Sequence, residues 1–159
     1  MASITIITVG SLKEGYLKDA VAEYKKRLSQ YARVEEIELK EERIRDEDNR
    51  TEISSALDAE AERILAAIPK DAMKIALCVE GKQYSSEELA ALISRGNDQS
   101  GKIALVIGSS YGLTERVKRE CDVRLSFSKM TFPHQLMKVI LFESIYRSFT
   151  IIHGKRYHK

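Results

Sequence analysis

Cysteine is scarce: Cys78 and Cys121 are the only two in 159 residues, too few for a disulfide framework or a four-thiolate zinc site. Histidine is almost as rare. His134, His153 and His158 are widely spaced and lack a companion set of carboxylates, so no metal centre is expected. No run approaches the roughly 18 apolar residues of a membrane span. Met1–Gly10 also lacks the basic start and long apolar stretch of a secretory signal. A reduced, cytoplasmic protein without membrane segments is therefore expected. Two phosphate-binding signatures are missing as well. Gly112 is followed by Leu113 and Thr114 rather than by Lys and Ser or Thr, and there is no G-x-G-x-x-G, which disfavours a Walker ATPase and a dinucleotide dehydrogenase.

What is present suits one globular domain over residues 1–159. Hydrophobic residues make up 43% and charged residues 31%, enough for a core that needs no metal or disulfide. The net charge of +2 conceals a strong asymmetry. Glu35–Ile64 holds twelve acidic side chains against five basic ones, whereas Leu113–Lys159 holds ten basic against four acidic. An uneven distribution of this kind suits a polyanionic partner, although a charge run also describes an ordinary solvated face.

Short β-branched runs at Ile4–Val9, Val34–Leu39, Ile75–Val79, Lys102–Ile107 and Val123–Ser126 predict five strands. Alternation of Ile37 and Leu39 with Glu36 and Glu38 suggests that the second is half exposed or at an edge. Helical spacing recurs at Tyr16–Leu28, from Thr51 to the stop at Pro69, from Ser85 to Gly96, from the Thr114 cap to Cys121, and from Pro133 to about Phe149. Ser85 and Glu88 form a capping-box pattern. Lys40–Arg50, dense in charge and without periodicity, reads as a mobile loop. Alternating strands and helices predict an α/β fold, a mainly parallel sheet with helices on both faces. Ligands in such sheets lie beyond the carboxyl ends of the strands. Leu77–Gly81, Gly108–Gly112 and Ser126–Pro133 are the segments available there.

Gly108–Gly112 is either a ligand-holding turn or a plain strand-to-helix turn. Ser126–Gln135, reading SFSKMTFPHQ, combines hydroxyls, a lysine, a methionine and two phenylalanines. Those residues suit a flat ring beside a polarizable group, or a loop tucked into the core. The last helix is apolar around most of its circumference and predicts burial on two sides, by its own sheet and by a second copy in a C2 homodimer. Glu143 and Arg147 stand four apart and form a simple helical pair unless Arg147 faces a cavity. The terminal HGKRYHK is either a disordered end or a functional tail.

The segments ITIITVGSLKEGY, LVIGSSYGL, LSFSKMTFPHQLMKVILFESIYRSF and HGKRYHK resemble the SPOUT-class ribosomal RNA large subunit methyltransferase H family over essentially the whole chain. The resemblance implies an enzyme that uses S-adenosyl-L-methionine to methylate N3 of a pseudouridine in large-subunit (23S) ribosomal RNA on assembled ribosomes. It also implies a homodimer and a C-terminal trefoil knot. Carried onto matching positions, the cofactor site comprises Leu77, Gly108, Phe127, Ser128, Lys129, Met130, Thr131 and Phe132. Ser109 stands where the family commonly has a second glycine, and Ser144 where it commonly has glutamine.

Because N3 of a uracil-type ring is a poor nucleophile until deprotonated, the chemistry calls for a cation and a proton acceptor. Arg147, Tyr157 and His158 are the expected catalytic groups, with the tail closing over the cofactor of the other protomer. His158 is assigned to proton removal or base contact, and Tyr157 to stacking on or bonding to the target. Arg116, Lys118, Arg119, Arg124, Lys155, Arg156 and Lys159 are expected to meet RNA phosphates, with Glu35–Ile64 turned away. The alternatives are a non-catalytic ribosome-binding factor of the same fold and a transfer RNA methyltransferase.

Overall fold

A computed structural model describes Met1–Lys159 throughout. The first strand shows how the layers arise. Along β1 (Ala2–Val9), Ala2, Ile4 and Ile6 enter one buried cluster, whereas Ile7 and Val9 enter another on the opposite face. A strand that is apolar on both sides requires cover on both sides. Helices α1 (Gly15–Leu28), α3 (Ser86–Gln99) and α5 (His134–Ile152) cover the first face, and α2 (Arg50–Ala67) and α4 (Glu115–Glu120) the second. The first face carries the larger core, 21 buried residues against 8, so substitutions under α5 will weigh most on stability.

The remaining strands are β2 (Ala32–Leu39), β3 (Met73–Gln83), β4 (Lys102–Ile107) and β5 (Val123–Ser126). They assemble in the order β2-β1-β4-β3-β5, every neighbouring pair parallel. The expected parallel sheet with helices on both faces is thus present, and β2 occupies an edge as its alternation predicts. The capping box at Ser85 and Glu88 forms, and Thr114 accepts from Val117 N at the start of α4. No helix is long and apolar enough to cross a membrane.

Three departures from the sequence reading have physical causes. β3 continues to Gln83, because its register against β5 shifts between Leu77 and Lys82. Gly81 permits the shift: a Cβ there would stand 2.7 Å from the backbone carbonyl of Arg124. The Lys40–Asn49 segment is irregular, as expected, but it is tied down rather than loose. Glu42 N donates to Glu60 Oε2 at 2.9 Å, Arg63 Nη1 donates to Lys40 O at 2.8 Å, and Arg63 also pairs with Glu42. The charges that looked like solvated chain serve as tethers to α2. Finally, α5 takes cover from two neighbouring helices as well as from the expected sheet. It lies against the sheet between α1 and α3, with Leu141, Phe142, Ile145 and Phe149 buried. Even Lys138 is buried, its ammonium 3.0 Å from Glu36 on β2. Leu136 and Ile152, near the two ends of the helix, stay exposed.

Candidate functional site

The carboxyl ends of β4 and β5 and the register break of β3 open onto a cleft of about 730 Å³, within the range of small-molecule sites. The three strand-end segments singled out in the sequence meet around it. Leu77, Gly108, Phe127, Ser128, Met130, Thr131 and Phe132 all line its wall. Lys129 does not. Its side chain is exposed because the loop turns at this point: Ser126 Oγ donates to Ser128 O at 3.0 Å, and Met130 N donates to Ser128 Oγ at 3.0 Å. Lys129 is thus the one residue of the expected cofactor site whose side chain stands outside the wall.

The turn after β4 brings backbone close to backbone. A Cβ on Gly108 would lie 2.5 Å from Gly112 O and 2.8 Å from its carbonyl carbon, so the local path requires glycine. Gly112 N donates to Ser109 O at 2.8 Å and closes the turn. Ser109, where the resembled family commonly has glycine, holds its hydroxyl buried without a hydrogen-bond partner. Behind it, the Glu60 carboxyl lies 3% exposed on α2. Burial pushes its pKa up, against the opposing pull of the Glu42 N–H and the nearby Ser109 hydroxyl. Glu60 went unnoticed in the sequence, although it stands on the apolar stripe of Leu57, Ala61 and Ile64, where a carboxylate is out of place. Cys78 is also in the wall, and burial raises its thiol pKa, which disfavours a thiolate nucleophile.

The cleft suits a nucleoside-bearing cofactor. Leu77, Phe127 and Phe132 give apolar surface for a flat ring, and the crowded Gly108 turn brings backbone polar groups to the wall.

Arg147, Tyr157 and His158 come together, but elsewhere. Arg147 donates through Nε and Nη2 to Glu143 Oε1 at 3.0 and 2.5 Å, and Tyr157 OH donates to the same oxygen at 3.1 Å. The guanidinium lies 4.7 Å from the Tyr157 ring centroid, and the Tyr146 ring stands edge-on to it at 4.8 Å. Glu143 is thus the hub of the cluster, a role beyond the helical pair expected of it. Burial and the Glu143 contact push the Tyr157 pKa up to about 12, so the phenol is a neutral donor at physiological pH. Arg147 Nη1 is 3.2 Å from His158 Nδ1, and His158 Nε2 is 2.8 Å from Glu87 Oε1. A guanidinium only donates. Nδ1 must therefore accept, and Nε2 carries the hydrogen toward Glu87. The terminal segment is folded back along α5 rather than frayed, with Lys155 N bound to Thr150 O at 2.8 Å.

None of these three residues lines the cleft. The wall includes His134 and Met137 from the first turn of α5. Arg147 lies ten residues beyond Met137, about 15 Å farther along the helix axis. The basic third is also less free than its composition suggests. Arg116 pairs with Glu62, Lys118 with Glu80, and Arg124 with Glu115. Arg119, Lys155, Arg156 and Lys159 form no ion pair.

A family model described as "Predicted SPOUT methyltransferase" matches residues 2–158. The chain is 49% identical over 158 residues to the ribosomal RNA large subunit methyltransferase H of Shouchella clausii, covering 99% of both chains. It is 48% identical over 158 residues to the protein of the same name from Bacillus pumilus, again covering 99% of each. Among solved structures it is similar to the "Probable Methyltransferase from Bordetella pertussis Tohama I", with a TM-score of 0.54 at 17% identity, covering 91% of this chain and 95% of that one. At that identity the structural likeness concerns the fold alone.

Proposed function

The chain belongs to the SPOUT methyltransferase family, and from that premise we propose that it is an S-adenosylmethionine-dependent ribosomal RNA methyltransferase. Its target in this reading is N3 of a pseudouridine in the large-subunit RNA of the assembled ribosome. The observation that carries the cofactor assignment is the convergence of Leu77, Gly108 and the Phe127–Phe132 loop on one cleft of nucleoside size. The ribosomal target rests on relatives that carry that name along nearly their whole length.

Leu77, Phe127 and Phe132 hold the cofactor between apolar walls, and the backbone of the Gly108 turn meets its polar part. When bound, S-adenosylmethionine supplies an electrophilic methyl group. The protein's remaining task is to make the imide nitrogen nucleophilic. Arg147, kept protonated by the Glu143 carboxylate, favours the deprotonated imide by placing a cation beside it. Tyr157 stays neutral and offers a hydrogen bond or a stacking face to the base. His158 has one acceptor nitrogen, and Arg147 occupies it. Proton removal by His158 therefore requires that contact to open as the base enters.

Cleft and cluster lie too far apart along α5 to serve one substrate within one chain, which supports a homodimer in which each cleft is completed by its partner's tail. A two-fold axis across the middle of α5 would run the two helices antiparallel and bring the Arg147 end of one chain toward the His134 end of the other. Exposed Leu136 and half-buried Ile140 offer apolar area for that seam. The trefoil knot belongs with this reading: after edge strand β5 the chain returns along the cleft wall before α5 inserts between α1 and α3. The place of action is then the cytoplasm, where ribosomes are found.

Transfer of a labelled methyl group tests the proposal. Incubation with unmodified whole ribosomes should label large-subunit RNA, and nucleoside digestion should recover an N3-methylated pseudouridine; transfer RNA should stay unlabelled. Label in transfer RNA, or ribosome binding without uptake of S-adenosylmethionine, would overturn it in favour of another enzyme or a non-catalytic factor.

A further inference from the structure

Of the side chains lining the cleft, only Glu80, Lys118 and His134 carry or can readily gain a charge. Glu80 and Lys118 are joined, Nζ to Oε1. The two partners are held very differently. Lys118, on α4, has its side chain only 14% exposed, whereas that of Glu80 is 55% exposed. The ammonium is fixed within the wall, and the carboxylate reaches it from the water side.

Glu80 owes its position to the register shift of β3. It lies between Leu77 and Lys82, where the strand departs from its pairing with β5, and next to Gly81, which alone can lie against the Arg124 carbonyl. The shift therefore carries a carboxylate to the rim of an otherwise apolar cleft. Lys118 keeps that carboxyl below the usual carboxylate range, so it is ionised whenever ligand arrives.

We propose that Glu80 is a specificity-determining residue of the cleft that exchanges its contact with Lys118 for the ribose hydroxyls of the bound cofactor. This rests on the reading of the cleft as a cofactor site. The chemistry follows from the lining. A purine between Phe127, Phe132 and Leu77 leaves its attached ribose between apolar interior and open mouth, where two vicinal hydroxyls need acceptors. A carboxylate provides two acceptor oxygens and no competing donor, and an acidic residue beyond a strand end is a recurrent partner of ribose hydroxyls. Lys118 is then the competitor that occupies Glu80 in the empty cleft and spares it an unpaired state.

Calorimetric titration of the full-length protein with S-adenosylmethionine and, separately, with S-adenosylhomocysteine tests this. Both ligands carry the ribose, and only the first carries the sulfonium charge. Glu80→Gln should weaken both by a similar factor, roughly tenfold, the value of a charge-assisted hydrogen bond. Lys118→Met, which frees Glu80, should tighten both by a factor of about three or more. Unchanged binding by Glu80→Gln, or a loss confined to the sulfonium ligand, would overturn the ribose assignment. Unchanged or weaker binding by Lys118→Met would overturn the competition. If the unmutated protein takes up neither ligand, the cofactor reading itself falls; if it binds and Glu80→Gln binds equally well, only the assignment of Glu80 falls.

Discussion

If each active site is shared between two chains, two inactive variants should rescue one another. Gly108→Ala disables the cleft: its Cβ would lie 2.5 Å from Gly112 O and 2.8 Å from the adjoining carbonyl carbon, a backbone collision that must displace the turn. Arg147→Ala leaves the cleft whole and removes the cation from the Glu143–Tyr157–His158 cluster. Loss of one anion-stabilising donor typically costs about 10²–10³ in turnover, so either variant alone should retain about 1% activity or less.

Co-expression in equal amounts gives about half heterodimers by statistics. In each heterodimer one site combines the damaged cleft with the damaged cluster, and the other combines the intact parts. One of the two sites therefore works, and the mixture should recover about a quarter of unmutated activity. Labelled methyl transfer to ribosomes reads the recovery, and a different affinity tag on each variant isolates the heterodimer. Calorimetry provides the control: Arg147→Ala should still take up cofactor, and Gly108→Ala should not. A heterodimer that stays at the activity of its parents would refute the argument, because a site contained in one chain leaves every combination dead.

Three further outcomes follow from the electrostatics. Tyr157 is one of seven tyrosines, and alkaline spectrophotometric titration should show one phenol ionising at about 12 that vanishes in Tyr157→Phe. Between the ordinary tyrosine value and about 12 the unfolded chain releases this proton while the folded chain keeps it, so stability falls with pH there, and less so in the variant; superimposable titrations would contradict the packing of the tail. Glu60 has a raised pKa, so its contribution declines as pH climbs out of the usual carboxylate range toward its folded value. Glu60→Gln keeps an acceptor for Glu42 N and gains a donor toward Ser109, and chemical denaturation at pH 7 should find it more stable than the parent. A less stable variant would show that the carboxylate is favoured. Reversing both Lys155 and Arg156 to Glu should weaken ribosome binding and make its log–log salt dependence shallower by about 1.5, at roughly 0.7–0.9 per phosphate contact. Reversing Arg116, already paired with Glu62, should change that slope little.

The parts of the fold that were legible in the sequence are those where one local pattern had no competitor. Ile4–Val9 and Lys102–Ile107 are apolar on both faces and became central strands, and Ser85 with Glu88 produced the cap it spells. The misread parts depend on partners distant in sequence. Glu80-Gly81-Lys82-Gln83 has no strand-like pattern and joins β3 only through β5. The Lys40–Asn49 segment is tied down by Glu60 and Arg63, some twenty residues on. The position of Lys129 follows the same logic at short range. It lies in a contiguous run whose neighbours line the cleft, and its side chain points outward at a turn shaped by two serine hydrogen bonds. The cluster of Arg147, Tyr157 and His158 was suggested by resemblance; its hub, Glu143, looked like half of a surface pair because a four-residue spacing cannot reveal that the tail returns to the same oxygen.

The same dependence on distant partners changes the meaning of the charge asymmetry. An acidic Glu35–Ile64 and a basic Leu113–Lys159 looked like two opposed faces, one turned from RNA and one toward it. In the fold they meet. Glu62 takes Arg116, and Glu36 takes the buried Lys138; within the basic third, Glu115 takes Arg124, and Lys118 is taken by Glu80 of the cleft. A cation already bound to a carboxylate offers little to a phosphate, since gaining one contact costs the other. Within the basic third, the positive charge left free for RNA is thereby Arg119, the exposed Lys129, and Lys155, Arg156 and Lys159. Three of these five lie on the terminal segment that also holds Tyr157 and His158. In the proposed dimer, the segment that grips phosphate and the segment that completes the partner's site are one piece of chain, so seating the RNA and assembling the chemistry become a single event.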